Sequence, residues 1–464
     1  MTELFLATFL LGLMVCGLRR PFLWVLAYLY IDILAPQYMS PTLLSPLPIS
    51  LIAFLAAVGG WLLVDDKRDT RFTLRQALLV ILLVYCGMTT LSADFPVEAA
   101  SKWNWVWKAL LFAVFLPLTL RTRLRIEAVT LVMVLTVGAI IIGGGIKTIV
   151  TGGGYGELRL FVSNNEGLYE GSIISCVAIT IIPLILWLMK HGTIFPPDRR
   201  VKLYGYALIF ACLLIPIGTQ ARTGLICLAM LALLLLRSVK RRVLYISMVA
   251  VLVTVTIPLL PQTYRERMNT IENHDSESSA STRIAVWNWT WNYALDHPLG
   301  GGFNSYLGNS VRYQIRVKPD DSVAPGNATA VVEDKARAFH SSYFEMLGEQ
   351  GFPGLLIWGW LQVLGIWQME RLRRRWRGID PAGNWQGSLA NALQQAHVVF
   401  LTGSLFVGIA YQPFIFMLIG VQCGLWSYLR RIDGEQRPSF AQRRQIHLGL
   451  RPSRPGPASP DPAR

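Results

Sequence analysis

The sequence predicts an all-α fold: a polytopic transmembrane helical bundle of 12–13 helices with a large, mainly helical loop outside the cytoplasm. Three observations carry this prediction. Of the 464 residues 53% are hydrophobic and only 15% charged, with a mean hydropathy of +0.42; a soluble domain carries about a quarter charged residues. The apolar excess sits in blocks such as Ala77–Leu91, Ile173–Met189, Val243–Leu260 and Leu355–Trp367. Several of these reach the roughly 20 residues that a bilayer core about 30 Å thick requires once their flanks are counted. Finally, lysine and arginine alternate between successive connections.

Taken in order, the expected spans are 4–18, 21–35, 49–64, 77–92, 105–120, 128–147, 172–189, 203–219, 223–237, 242–260, 342–368, 393–411 and 413–429. Tyr411-Gln412-Pro413 either bends one helix or separates two, so the number is twelve or thirteen. The first run has the length of a signal peptide, but Glu3 stands where a basic region belongs and Arg19-Arg20 follow it. No small-x-small cleavage site precedes those arginines, so a retained helix is expected. The six cysteines all fall in apolar blocks, which predicts buried small hydrophobes and no disulfide framework.

One set of connections holds Arg19-Arg20, Asp65–Arg75, Arg121–Arg125, Lys190–Lys202, Arg237–Arg242, Glu370–Arg377 and the tail from Arg430. It carries 30 of the 43 Lys and Arg; of the other 13, 8 lie in 261–341. The positive-inside rule assigns the first set to the cytoplasm and 261–341 to the opposite side. The net charge of +15 is thus mostly a topology signal, and no basic face gathers in one domain as a nucleic-acid partner would need. The chain divides into ten helices over 1–260, a loop with amphipathic helices over 261–341, C-terminal helices over 342–430, and a Pro- and Arg-rich tail over 431–464 with a disordered composition.

The outer connections hold the unusual residues. Lys147 lies between Gly143–Gly145 and Gly152–Gly154; such glycine runs suit close approach to a ligand, a flexible loop or a tight helix crossing. No phosphate-cradling GxxxxGK[ST] is present. Arg222, in Gln220-Ala221-Arg222-Thr223-Gly224, sits between two strongly apolar segments on the side that avoids positive charge. Its functional reading competes with simple snorkelling to the interface. The long loop begins PQTYRERMNT, which includes Arg265, and Arg312 lies further along it. An amphipathic helix is expected over Ser281–Asp296, with Arg283 in its first turn, Trp287, Trp291 and Ala294 on one face, and Gly300-Gly301-Gly302 after it. Three tryptophans in five residues suit a helix lying in the membrane interface. His340 stands where this loop becomes a helix. The dipole there disfavours the imidazolium and leaves a ring able to accept a proton, although a lone histidine is more often structural.

The stretches QARTG, STRIAVWNWTWNYALDHPLGGGF and AFHSSYFEMLGEQGFPGL resemble the O-antigen ligase superfamily of bacterial polytopic glycosyltransferases. RRPFLWVLAYLYIDILAPQYMS and TGGGYGELRLFVSNNEG are similar to its exosortase-associated O-glycosylation ligase branch, and the resemblance covers roughly residues 1–430. It implies an enzyme of the bacterial inner membrane, with its active site facing the periplasm. Such an enzyme moves a glycan from undecaprenyl diphosphate to the lipid A–core oligosaccharide. The resemblance also makes His340 catalytic and Arg222 and Arg283 diphosphate-binding. Topology adds Lys147, Arg265 and Arg312 as further candidate cations.

A transferase working where nucleotide sugars and ATP are absent needs a donor already activated on a lipid. A diphosphate leaves readily once its charge is neutralised, and arginine forks suit its oxygens. One base then suffices to activate an acceptor hydroxyl. The outer segments contain no DxD, HxxxH or HExxH, and Asp320-Asp321 and Glu333-Asp334 lie near basic residues as solvated charges. A metal-independent, cofactor-free reaction is therefore expected, inverting if no covalent intermediate forms. Alternatives with the same donor are an O-antigen or exopolysaccharide polymerase and a protein O-oligosaccharyltransferase. A lipid-linked glycan transporter would need polar residues deep in several helices, and the sequence offers few beyond Asp32 and Lys108 near helix ends.

Overall fold

The computed structural model describes residues 2–40, 42–67, 72–152, 167–237, 247, 275–316, 329–377 and 384–435. They form thirteen α-helices and one β-hairpin. The helices are α1 (Thr2–Arg19), α2 (Phe22–Leu34), α3 (Ile49–Leu63), α4 (Leu74–Leu91), α5 (Pro96–Thr119), α6 (Arg123–Thr151), α7 (Gly171–His191), α8 (Arg199–Gly218), α9 (Arg222–Leu236), α10 (Asp275–Asp296), α11 (Ser342–Arg375), α12 (Trp385–Gly403) and α13 (Pro413–Glu435). The all-α polytopic expectation holds. Twelve of the expected spans are helices, while 242–260 apart from residue 247, Arg265 and the tail beyond 435 lie outside the described residues. Four helices, α4, α6, α7 and α8, are long and apolar enough to cross a membrane by length and composition.

Helix ends follow local chemistry. Thr73 and Gln76 cap α4 reciprocally, and Asp198 and Asn384 accept N–H groups at the starts of α8 and α12. α5 begins at Pro96, nine residues before the apolar block that marks it in the sequence. Proline at the first helical position costs no hydrogen bond, so the polar stretch Val97–Asn104 is helical too. Residues 404–412 separate α12 from α13, which settles the Tyr411–Pro413 ambiguity as two helices. Gly143–Gly145 lie inside α6, and a Cβ on Gly145 would sit 3.3 Å from that of Ala211: this run is a tight crossing with α8.

One continuous apolar core holds the bundle together, centred on α5 against α13, α7 against α12 and α6 against α8. Polar side chains are also buried within it, more than hydropathy alone reveals. Arg75 is fully buried and donates to Gln422 at 2.9 Å; His397 contacts Gln362 at 2.7 Å and Gln422 at 3.2 Å. At one end of the bundle the arginines are tied down: Arg125 to Asp65 at 2.7 Å, Arg123 to the His191 carbonyl at 2.8 Å and Arg237 to Glu370 at 2.9 Å. The opposite end carries α10 and the hairpin.

That outer lobe adds a two-stranded hairpin to the expected helical loop. Strands β1 (Ser310–Arg316) and β2 (Thr329–Lys335) pair antiparallel, Tyr313 opposite Val332 and Ile315 opposite Ala330. The pattern SVRYQIR alternates β-branched and aromatic residues with polar ones, a period-two signal that outweighs helix propensity here. A small second core of Val286, Val311 and Phe339 joins α10, β1 and the segment before α11. The buried face of α10 is Val286, Thr290 and Ala294, not the expected Trp287–Trp291–Ala294 stripe. The tryptophans diverge: Trp287 stacks on Phe344, Trp289 on Tyr293, and Trp291 meets Phe352 edge-on.

Candidate functional site

The Gly300–Gly302 turn docks the outer lobe on a break in α11. Gly351 adopts a left-handed backbone (φ 62°), and Pro353 lacks the N–H that would bond the Glu349 carbonyl. Gly302 supplies that hydrogen bond instead at 2.9 Å, Gly301 caps the Gly348 carbonyl at 3.1 Å, and the Phe352 N–H turns to Pro298 at 3.0 Å. A Cβ at Gly351 would lie 2.2 Å from the Pro298 oxygen, so only glycine permits this approach.

The segment entering α11 is fixed from both sides. Phe339 fills the small core, its carbonyl accepts from Trp287 Nε1 at 2.9 Å, and its ring meets Tyr306 edge-on. Ser342 donates its N–H to the Ser404 carbonyl and its hydroxyl to that of Val407, and receives the Ile409 N–H. Between these anchors His340 takes a left-handed backbone (φ 50°), a conformation costly for a residue with a Cβ and sustained by its surroundings. The imidazole is thereby held at the rim of a cavity of about 360 Å³. Arg283, Tyr306, Lys102, Glu170, Glu345 and Glu349 are among the residues that line it. Part of the ring remains exposed, yet burial first, then the positive charges of Arg283 and Arg337, lower its pKa from 6.5.

Beside this cavity Lys102 of α5 lies between two carboxylates of α11, 2.8 Å from Glu345 and 2.9 Å from Glu349. Glu349 also accepts the Asn304 N–H at 2.9 Å, and Glu345 the Ala410 N–H at 3.0 Å. These three ionisable groups had no role in the sequence reading. The only signal was a pair of glutamates spaced i, i+4 at a helix start, with a lysine some 240 residues away in sequence.

Of the sequence candidates, His340 and Arg283 share one cavity. Arg222 begins α9 and does not line it. Its neighbour Thr219 bonds Ser175 at 2.7 Å on α7, and Glu170 and Ser172 at the start of that helix do line it. Lys147 lies in α6 just before its last turn, beside Thr148, which packs on Gly218. Arg312 is separate: it faces solvent on β1, paired with Glu333 at 2.9 Å. Asp334 likewise pairs with Arg337 at 2.6 Å, and Asp320 and Asp321 lie outside the described residues. No cluster of three His, Cys, Asp or Glu among the described residues has metal-binding geometry.

Residues 207–359 match the family model of O-Antigen ligase. Arg222, Arg283 and His340 all fall inside that match, which supports the O-antigen ligase superfamily of glycosyltransferases. Residues 1–193 match a second model, a family of unknown function (DUF5935). The cavity is built by both regions, since Lys102 and Glu170 belong to 1–193 and Arg283 and His340 to 207–359. No curated protein matches the chain. The apolar helices and the ligase-family match support a multi-pass membrane protein of glycosyltransferase type.

Proposed function

We propose that the chain is an O-antigen ligase of the bacterial inner membrane. It transfers a glycan from undecaprenyl diphosphate to lipid A–core oligosaccharide on the periplasmic face. The observation that carries this reading is the presence of Arg283 and His340 in one cavity, at the end of the bundle away from the tied-down arginines. Basic residues gather on the cytoplasmic side of a membrane protein, so that cavity faces outward.

The reaction balances with these groups. The acceptor hydroxyl attacks the anomeric carbon, a new C–O bond forms as the bond to the diphosphate oxygen breaks, and undecaprenyl diphosphate departs with the electron pair. His340 takes the hydroxyl proton. Its lowered pKa keeps the ring neutral near pH 7, ready to act as base. Arg283 presents its fork to the diphosphate, with Arg222 and Lys147 at the same end of the bundle adding positive potential. Direct displacement inverts the anomeric centre and requires no metal.

The test is transfer with purified components: lipid-linked donor, lipid A–core and the protein in nanodiscs. His340→Ala should lose about 10²–10⁴-fold in rate while retaining donor binding. Full transfer by that variant, or product only with a polysaccharide or protein acceptor, would overturn the assignment.

A further inference from the structure

A second cavity of about 340 Å³ opens on the far side of Lys102 and shares Lys102, Ile173, Glu345 and Gly408 with the first. We infer that this cavity, lined by Ser101, Lys102, Trp105, Asn304, Glu345 and Gln412, is a saccharide subsite, occupied by a sugar ring of the donor or of the acceptor. The inference rests on the proposed ligase reading for the identity of the two substrates.

The lining has the chemistry of a sugar. A pyranose presents hydroxyls that both donate and accept, and a flat face of C–H groups. The cavity offers a hydroxyl, an ammonium, two amides and a carboxylate, which together supply donors and acceptors. One indole, Trp105, lies on the same face of α5 as Ser101 and Lys102 and supplies an apolar plane. A volume of about 340 Å³ falls within the roughly 300–1,000 Å³ usual for small-ligand sites.

The charge pattern argues against a second phosphate site. Lys102 is the lining cation, and it is already engaged by Glu345 at 2.8 Å and Glu349 at 2.9 Å. A diphosphate would meet an ammonium already paired and the Glu345 carboxyl group, whereas a neutral, hydroxyl-rich ring meets fixed hydrogen-bonding groups. These groups are also preorganised. Glu345 is held by the Ala410 amide, Glu349 by the Asn304 amide, and the Lys102 ammonium lies 4.8 Å from the Tyr411 ring centre. Rigid polar groups of this kind lose little on binding. The assignment also gives work to the 1–193 region, which provides Ser101, Lys102 and Trp105.

The experiment compares wild type, Trp105→Ala, Trp105→Phe and Gln412→Ala in nanodiscs. It reads the KM of each substrate in the transfer assay and, by calorimetry, binding of three probes: bare undecaprenyl diphosphate, lipid-free O-antigen repeat and deacylated core oligosaccharide. Trp105→Ala and Gln412→Ala should weaken one saccharide about tenfold or more, leave bare undecaprenyl diphosphate unchanged, and show partial recovery in Trp105→Phe. A rise confined to donor KM and the free repeat places the donor's sugar in the cavity. A rise confined to acceptor KM and the core oligosaccharide places the acceptor there. Unchanged binding of both saccharides, or equal weakening of bare undecaprenyl diphosphate, overturns the subsite. If wild type binds saccharide in this cavity yet transfers nothing, the ligase reading fails and the subsite stands.

Discussion

Lys102 Nζ sits 2.9 Å from Glu349 Oε1, with the glutamate side chain almost fully buried and the lysine nearly so. The same ammonium holds Glu345 at 2.8 Å, so one cation separates two carboxylates inside the protein. Removing it as Lys102→Met leaves the two carboxyl groups buried without their counter-charge. Breaking a buried pair in this way costs about 3–5 kcal/mol, which should appear as a large fall in melting temperature in detergent. Adding Glu345→Gln and Glu349→Gln to the same chain should restore most of the loss.

His340 sets a pH signature. Its imidazolium is disfavoured, so the neutral base persists to a pH below 6.5 and kcat/KM should fall only as the solution becomes more acidic than that. Arg337 contributes part of the shift. Arg337→Gln removes a positive charge and releases Asp334, both of which favour the protonated ring. The acidic limb of the profile should therefore move to higher pH in that variant, and an unmoved limb would remove His340 from the base role.

The two arginines on the outer lobe should separate cleanly. Arg283 lines the cavity, whereas Arg312 is spent on Glu333 at the surface. Arg283→Ala is expected to reduce transfer by about 10²-fold or more, and Arg312→Ala to leave it within about twofold, since exposed pairs contribute little. Initial rates at saturating acceptor decide this.

Gly351→Ala should destabilise the protein by more than about 2 kcal/mol, because a left-handed backbone and a 2.2 Å clash with the Pro298 oxygen coincide there. Gly359→Ala, in the same helix with open space around it, should be neutral or stabilising. Melting curves of the two variants provide the comparison.

Orientation is open to labelling. With a membrane-impermeant maleimide, Ala338→Cys should react in cells whose outer membrane alone is permeabilised. Arg374→Cys should react only after the inner membrane is opened. The reverse pattern would refute the outward-facing cavity.

The bundle was legible because hydropathy blocks and alternating basic connections are local signals that survive in a single sequence. α5 starts early because Pro96 and Glu98 suit a first turn, a signal masked by the polarity of Val97–Asn104. The hairpin lies in a part of the loop to which the sequence reading assigned no element, although Val311, Tyr313 and Ile315 alternate as a strand should. His340 stood out as an ionisable residue at a helix start; Arg283 came from the family resemblance, and because α10 begins at Asp275 it lies inside that helix and not in the expected first turn. Lys102, Glu345 and Glu349 did not, since their meaning lies in contacts between α5 and α11 that no sequence spacing encodes. Arg312 was selected by topology, which specifies a side of the membrane but not a partner, and Glu333 claims it.

Loops as large as the outer lobe often work as flaps over a substrate. Here the amides of Gly301 and Gly302 complete the hydrogen bonding of α11 itself, so swinging the lobe away would bare two peptide carbonyls. Unpaired polar groups in a non-aqueous setting cost several kcal/mol. The lobe is consequently tied into the backbone of α11, and the placement of His340 beside it is set when the chain folds.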